Sequence, residues 1–354
     1  MRILHLNLEK GWRGGERQTL LTLQGLQARG HTVQLAARAA SPLAGRAQAA
    51  GVAVLACSGV GALLRLLLRQ RQAFDIVHAQ TAQTMSLLAL LRPVLRAQTV
   101  FTRRTAFQVT GTQRRHRWKW SRVDALVAIS QAAAQAPRAL ALPVSIIPSA
   151  VEPLPVDPVR VQVLRGRFGL DGRQVLVTAA ALSPEKDPCT LIEAVGLLRR
   201  THPQLICLHF GAEGAAAAAA RERIQRLGLG AHYVLAGFEA RMGDALALAH
   251  VYASSSRFEA LGSSVLDACL AGLPVVATEV GGHVETLAPD RGLLVPAGDA
   301  PQLARRLAWV LEHPAAAQAM AQRAQAYVAR VHGVPEMVSG YEEIYQRLVL
   351  RAGG

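Results

Sequence analysis

Short apolar runs alternate with amphipathic stretches along most of the chain, regularly enough to name elements. In the first half the runs Ile3–Asn7, Thr32–Ala36, Val52–Leu55, Ile76–His78, Thr99–Phe101, Ala125–Ala128 and Val144–Ile147 predict strands. Helical spacing lies between them, as in Glu16–Arg29 and Gln131–Leu142. Strands that alternate with helices argue for a parallel sheet covered on both faces. The proline-rich stretch Ile147 to Pro158 breaks the pattern and reads as a linker. A second series follows, with strands expected at Val175–Thr178, Ile206–Phe210, Tyr233–Leu235, Val251–Ala253, Val275–Ala277 and Leu293–Val295. Helices are expected at Pro188–Thr201, Ala215–Leu227, Ser263–Ala271, Pro301–Glu312, Ala315–Val331 and Met337–Leu350. The fold class is therefore α/β, with two doubly wound, Rossmann-like domains facing across a cleft. Ligands are expected beside the carboxyl ends of the strands.

Composition adds compartment and charge. A chain of 354 residues is long enough for two domains with their own cores. No apolar run approaches the roughly 20 residues of a membrane span; Arg65 and Arg92 interrupt the longest ones. The opening MRILHLN reads as a first strand and not as a signal peptide. Cys57, Cys189, Cys207 and Cys269 are scattered, which suits reduced thiols in a cytoplasmic protein and argues against a zinc site. No metal and no cofactor are expected. Residues 1–150 hold 20 Lys and Arg against 4 Asp and Glu, a balance of +16, whereas the remainder holds 19 against 20. The densest part runs from Arg92 to Arg122, where Arg103, Arg104, Arg114, Arg115, Arg117, Lys119 and Arg122 interleave with Phe101, Phe107, Trp118 and Trp120. A solvated face, a nucleic-acid patch and a surface for anionic lipid all remain open. No nucleic-acid-binding signature accompanies the charge, so nucleic acid is not an expected partner. Tryptophan beside arginine suits a membrane interface.

The most informative stretch is Ser254 to Leu287, SSSRFEALGSSVLDACLAGLPVVATEVGGHVETL. It predicts a strand end, an acidic loop with Glu259, and a helix starting near Gly262 that carries Asp267. A Gly-Gly turn and Glu285 follow. Free amides at Gly262, Ser263 and Ser264 would attract phosphate, and two carboxylates beside them could grip sugar hydroxyls.

This block resembles the signature of the family-4 retaining glycosyltransferases, which have the GT-B fold. The matching positions are Glu259, Gly272, Pro274 to Thr278, Gly281, Gly282 and Glu285. Asp267 stands for the usual second Glu, and Ala260 for a usual Gly. Other segments match in order. ALSPEKD resembles a segment whose Arg and Lys neutralise the leaving diphosphate; Lys186 supplies the Lys, while Ala181 replaces the Arg. FGAEG, with Gly211 and Glu213, and the pair Gly237-Phe238 resemble turns near the nucleotide. His250 stands where relatives commonly carry Asp. The resemblance implies a catalytic pair, Glu259 and Lys186. It implies a donor site of Gly14, Gly15, Gly211, Glu213, Phe238, Leu261, Gly262, Ser263, Ser264 and Asp267. His78, Arg103 and Arg104 are the acceptor-side candidates; a core role for His78 and a plain loop at Gly14-Gly15 remain open.

The implied domains are 1–150 on the acceptor side, a linker at 151–160, and a nucleotide-sugar domain at 161–334, with helix 335–354 packing back on the first. The implied activity is metal-independent, retaining transfer of a sugar from a nucleotide-sugar donor, with no other cofactor. The basic first half suggests a lipid-linked or anionic glycan acceptor, such as lipopolysaccharide core or another envelope polysaccharide. It also suggests a peripheral site on an anionic membrane surface, the cytoplasmic face of the inner membrane. A synthase acting on a soluble acceptor, and a non-catalytic homologue that binds lipid or a partner, are the alternatives.

Overall fold

A computed structural model describes residues 1–106 and 112–353; Phe107 of the aromatic set lies outside them. The chain forms two compact units, Met1–Ala150 with His332–Gly354, and Val151–Val331. In chain order the first unit has β1 (Arg2–Asn7), α1 (Gly14–Ala28), β2 (Thr32–Arg38), α2 (Pro42–Ala49), β3 (Ala53–Cys57), α3 (Val60–Arg69), β4 (Ile76–Ala79), α4 (Ala82–Leu91), β5 (Gln98–Arg103), α5 (Gln113–Trp120), β6 (Ala125–Ala128), α6 (Gln131–Ala139) and β7 (Ser145–Ile146). The second has α7 (Pro158–Phe168), β8 (Gln174–Ala179), α8 (Pro188–Leu198), β9 (Leu205–Phe210), α9 (Ala217–Arg226), β10 (Tyr233–Gly237), α10 (Met242–Leu246), β11 (Val251–Ser254), α11 (Ser263–Leu270), β12 (Val275–Thr278), α12 (Gly282–Leu287), β13 (Leu293–Val295), α13 (Ala300–Glu312) and α14 (Pro314–Val331). The last helix, α15 (Val334–Gly353), belongs to the first unit.

Both sheets are parallel, and both reverse their winding beside their first strand. The order is β3-β2-β1-β4-β5-β6-β7 in one and β10-β9-β8-β11-β12-β13 in the other. Alternate residues of one strand serve opposite faces, as the two-residue strand period requires. Ile3, Leu35 and Val100 pack with Leu23, Leu26 and Tyr341 on one side of the first sheet. Leu4, Leu6 and Val77 pack with Leu63, Leu67 and Leu88 on the other. In the second unit Leu176, Cys207 and Val276 pack against Leu191, Val195, Leu303 and Leu307.

Helix α7 opens at Pro158, inside the stretch read as linker. Asp157 caps it, accepting from Val159 N at 3.0 Å, and proline at the first helical position is favourable. Its apolar residues do not mark a buried face: Val159 and Val163 are exposed. Helix α1 also starts earlier than expected, at Gly14, because Glu16 reaches back and accepts from Arg13 N at 2.9 Å.

The first unit carries a buried polar chain. The Gln80 amide donates to His5 Nδ1 at 3.0 Å, and His5 Nε2 lies 3.4 Å from the Tyr345 hydroxyl. That hydroxyl is 2.6 Å from His78 Nδ1, and His78 Nε2 is 2.8 Å from Thr102 Oγ1. Thr102 Oγ1 is in turn 3.0 Å from the Tyr341 hydroxyl. With one proton on each ring, every link has a donor and an acceptor. Burial, helped by the charge of Arg104, lowers His5 to about 3 and holds His78 well below the ordinary histidine value. Burial also lowers His209 in the second unit to about 4.

These histidines stay neutral when folded but take up protons when unfolded. Stability should therefore fall as pH drops below about 6.5, by about 1.4 kcal/mol per pH unit for each of them. Urea denaturation at pH 7, 6 and 5 checks this. Equal stability at pH 7 and 5 would show that the rings are not held neutral.

Candidate functional site

The loops at a winding reversal diverge and leave a crevice at the carboxyl edge of a parallel sheet. In the second unit the loops after β8 and β11 meet at that point, and they are tied together. Ser255 Oγ donates to the carbonyls of Lys186 and Asp187 at 3.1 and 2.8 Å. Arg257 N donates to Glu185 O at 2.8 Å, and its guanidinium bonds Asp187 Oδ2 at 2.8 Å. Asp187 also caps α8. Within this brace Lys186 and Glu259 form an ion pair, and Ser256 Oγ donates to the same Glu259 oxygen at 3.2 Å.

Helix α11 begins one turn further on. Its first α-helical bond runs from Leu266 N to Gly262 O at 3.1 Å, so the N–H groups of Ser263 and Ser264 come before the intrahelical ladder. Gly262 has φ +86°, and a Cβ there would lie 2.7 Å from His283 Cδ2, so this cap admits glycine alone. The Leu261 side chain is buried, so only its backbone can face a ligand.

Two site residues carried no signal in the sequence. Tyr252, in the apolar run of β11, reads as core. Its buried hydroxyl accepts from Ala179 N at 3.3 Å and bonds Ser264, linking β8 to the start of α11. Burial pushes its phenol up, and the charges of Glu259 and Asp267 add to this. His283 is also fully buried. Its Nδ1 donates to Thr278 O at 3.0 Å, which leaves Nε2 as a lone pair without a partner beside Gly262.

The remaining donor-side candidates of this unit spread along the same edge. Gly211 follows β9, and a Cβ on it would fall 1.8 Å from Ala180 O, so the turn requires glycine. Its N–H donates to Gly237 O at 2.9 Å, and the exposed ring of Phe238 stands next to it. Glu213 is turned outward and paired with Arg221, a placement the motif did not indicate. Asp267 lies one turn into α11, half-buried, beside a groove of about 310 Å³ shared with Leu154, Val156, Leu246 and Leu270. Ala181 is exposed.

The first unit has its own crevice, where the loops after β1 and β4 diverge. A pocket of about 520 Å³ is lined there by Arg13, Gly15, Glu16, Gln80, Arg103 and Arg104, among others. Gly14 opens α1 behind it. These glycines thus sit with Arg103 and Arg104 in one unit. Arg104 donates to Gln80 Oε1 at 2.7 Å and to Ser149 Oγ at 3.3 Å. Arg103 is buried, donates to Ala133 O at 2.5 Å and lies 5.4 Å over the Trp120 ring. His78 does not face this pocket. It is fully buried with both nitrogens bonded, and it reaches the pocket only through the chain that ends at Arg104.

Two doubly wound parallel sheets, each with a crevice at its winding reversal, define the GT-B architecture. Anabaena HepE, solved in complex with UDP and glucose, has this fold. It superposes with a TM-score of 0.87 over 98% of this chain and 99% of its own, at 20% identity. Residues 12–153 match the family described as Glycosyltransferase Family 4, and residues 163–327 match Glycosyl transferases group 1. Together the two matches, both to glycosyltransferase families, span most of the chain. EpsD of Bacillus subtilis (strain 168), named as a glycosyltransferase, is 35% identical over 45% of this chain and 42% of its own. The 2-deoxystreptamine glucosyltransferase of Streptomyces kanamyceticus is 29% identical over 54% and 51%. The chain spans about half the length of these curated relatives or less.

The Gly262 cap generates a stability prediction. Gly262→Ala should cost the second unit about 1–2 kcal/mol from the left-handed backbone alone, with the contact to His283 adding to it. Chemical denaturation followed by Trp309 fluorescence, with the other tryptophans replaced by phenylalanine, measures it. An unchanged midpoint would show that the αL cap carries no strain.

Proposed function

We propose that this protein is a retaining glycosyltransferase. It would move a sugar from a nucleotide-sugar donor to an anionic or lipid-linked glycan, with lipopolysaccharide core or another envelope polysaccharide as the favoured substrate class. The reading rests on one observation: Lys186 and Glu259 are paired at the winding reversal of the second sheet, beside the free amides of α11. A donor diphosphate is the natural competitor for that lysine. When it binds, Lys186 and the amides of Ser263 and Ser264 take up the charge that grows on the leaving group. Glu259, released from the lysine, accepts hydrogen bonds from hydroxyls of the donor sugar. Asp267 takes the ribose hydroxyls. In this scheme the acceptor hydroxyl attacks on the face the diphosphate leaves, so the configuration is retained without an enzyme nucleophile or a metal, and positioning supplies much of the rate.

The acceptor side follows from charge. Arg13, Arg103 and Arg104 line the pocket of the first unit, and guanidinium groups pair with phosphate or carboxylate through two parallel hydrogen bonds. We place the protein at the cytoplasmic face of an anionic membrane, where a lipid-linked acceptor would be presented. Among the described residues no helix is long and apolar enough to cross a membrane. A soluble acceptor is the second reading, favoured by the Streptomyces relative, named as a glucosyltransferase of 2-deoxystreptamine.

Thermal shifts with UDP, GDP, ADP and CMP test the donor site. One nucleotide class should stabilise the protein, by about 2.7 kcal/mol at 100 times its dissociation constant. Lys186→Ala should lose that shift and lower transfer by about 10²–10³-fold. Glu259→Ala should keep the shift and lose transfer. No shift with any nucleotide, or full transfer by both variants, would overturn the assignment.

A further inference from the structure

The first unit has a second groove, which shares Trp120 with the arginine pocket. It lies at the amino ends of β6 and β7 beneath the end of α15, and its volume is about 390 Å³. That is within the range of roughly 300–1,000 Å³ usual for small-molecule sites. Trp120, Leu142, Val144 and Leu348 form its apolar walls, and Arg347 and Arg351 stand over it. These two arginines are one helical turn apart, so they share a face of α15. No Asp or Glu lines the groove.

The surrounding surface is strongly basic, with the exposed Glu343, one turn before Arg347 on α15, as an acidic neighbour. Of the four carboxylates in residues 1–150, Asp75 is paired with Arg2, Asp124 with Arg92, Glu16 is buried in the cap of α1, and Glu9 lines the arginine pocket. Asp124 and Arg122 flank Val123, which lines the groove. Arg122 lies 4.6 Å over the ring of Trp118, which is 44% exposed. Lys119 Nζ donates to Ser86 Oγ at 3.1 Å, which ties α5 to α4, where Leu90 is 65% exposed; Val94, just beyond α4, is 44% exposed. Leu350, on α15 between the two arginines, is 76% exposed. Exposed apolar side chains on α4, α5 and α15 and an excess of cations thus accompany one apolar groove. This is the arrangement an interface between water and anionic lipid favours.

We propose that this groove is a binding site for one anionic glycerophospholipid of the bilayer, with an acyl chain between Trp120, Leu142, Val144 and Leu348, and the phosphate on Arg347 and Arg351. The exposed Leu90, Val94, Trp118 and Leu350 enter the interface around it. The site rests on the membrane placement above and not on the transfer chemistry. It fixes the first unit to the membrane through a lipid that is neither donor nor acceptor.

Flotation of the full chain with vesicles of phosphatidylglycerol and phosphatidylcholine, and of phosphatidylcholine alone, tests the proposal. Calorimetry with monomeric dihexanoylphosphatidylglycerol and with inorganic phosphate accompanies it. The wild type should float with the anionic vesicles only and bind the short-chain lipid more tightly than phosphate. The double variant R347E/R351E should lose at least about tenfold in vesicle affinity. V144W, which fills the groove and leaves the charge unchanged, should lose the short-chain lipid. Three results would overturn the site: no flotation of the wild type, flotation of R347E/R351E at wild-type affinity, or phosphate binding equal to that of the lipid. The nucleotide shift, measured on the same preparations, reports folding and keeps the fate of the transferase reading separate.

Discussion

A parallel sheet that is wound in both directions from its first strand leaves one gap between diverging loops, and each sheet here has that gap. In the second unit it falls between β8 and β11, and in the first between β1 and β4. Everything assigned to chemistry depends on what the chain puts there. The second unit closes its gap with cross-loop hydrogen bonds from Ser255 and Arg257, which hold the 184–187 turn against the 255–259 loop. The first leaves its gap open and lines it with arginine. Identical topology therefore yields two different sites: a short, braced ion pair beside a helix start, and a wider cationic pocket. The difference lies in loop composition, since the strand geometry is common to both.

The arginine pocket is held from behind by a helix far away in sequence. Tyr341 and Tyr345 of α15 enter the core beside β4 and β5, and their hydroxyls complete the chain through His78, His5 and Gln80 to Arg104. Buried polar groups are costly unless each finds a partner. This network meets that condition only with α15 in place, because removing the tyrosine hydroxyls would leave His78 Nδ1 and the Thr102 hydroxyl hydrogen without partners. The end of the chain is thus part of the first unit's core and of its pocket wall together. That explains why a segment so late in the sequence packs with the first 150 residues.

The regular elements were legible in the sequence and the site only partly so. Each expected strand is a strand, because short β-branched and leucine-rich runs bounded by turns leave little ambiguity in a fully buried parallel sheet. Helix α7 was missed because Val159 and Val163 face solvent and give no helical stripe, although Asp157 and Pro158 marked its start. The spacing from Glu259 through Gly262 to Gly282 indicated the helix cap, since a left-handed position and a close backbone approach both demand glycine. What spacing could not convey was burial. His78 looks the same in sequence whether it faces a ligand or the core, and only the tyrosines of α15 decide it. Tyr252 and His283 were invisible for the same reason: a Tyr in an apolar strand and a His after Gly-Gly acquire a role only from neighbours distant in sequence.

The Lys186–Glu259 pair also bears on the missing arginine at Ala181. An ion pair braced by Ser256 and by the 184–187 turn holds the lysine on Glu259, in the loop that leads into α11. A flexible surface lysine would lose rotamer freedom on binding a diphosphate; this one has already lost it. Glu259 likewise stays ordered and partly desolvated, and in the proposed scheme an exchange of the lysine for sugar hydroxyls would keep its hydrogen-bonding capacity satisfied. On the proposed reading, a single cation held in place in this way, beside the amides of the helix start, would meet a leaving diphosphate with little further loss of freedom. Pre-organisation, more than the number of positive charges, is thus the physical basis on which the proposed site would work without the usual arginine.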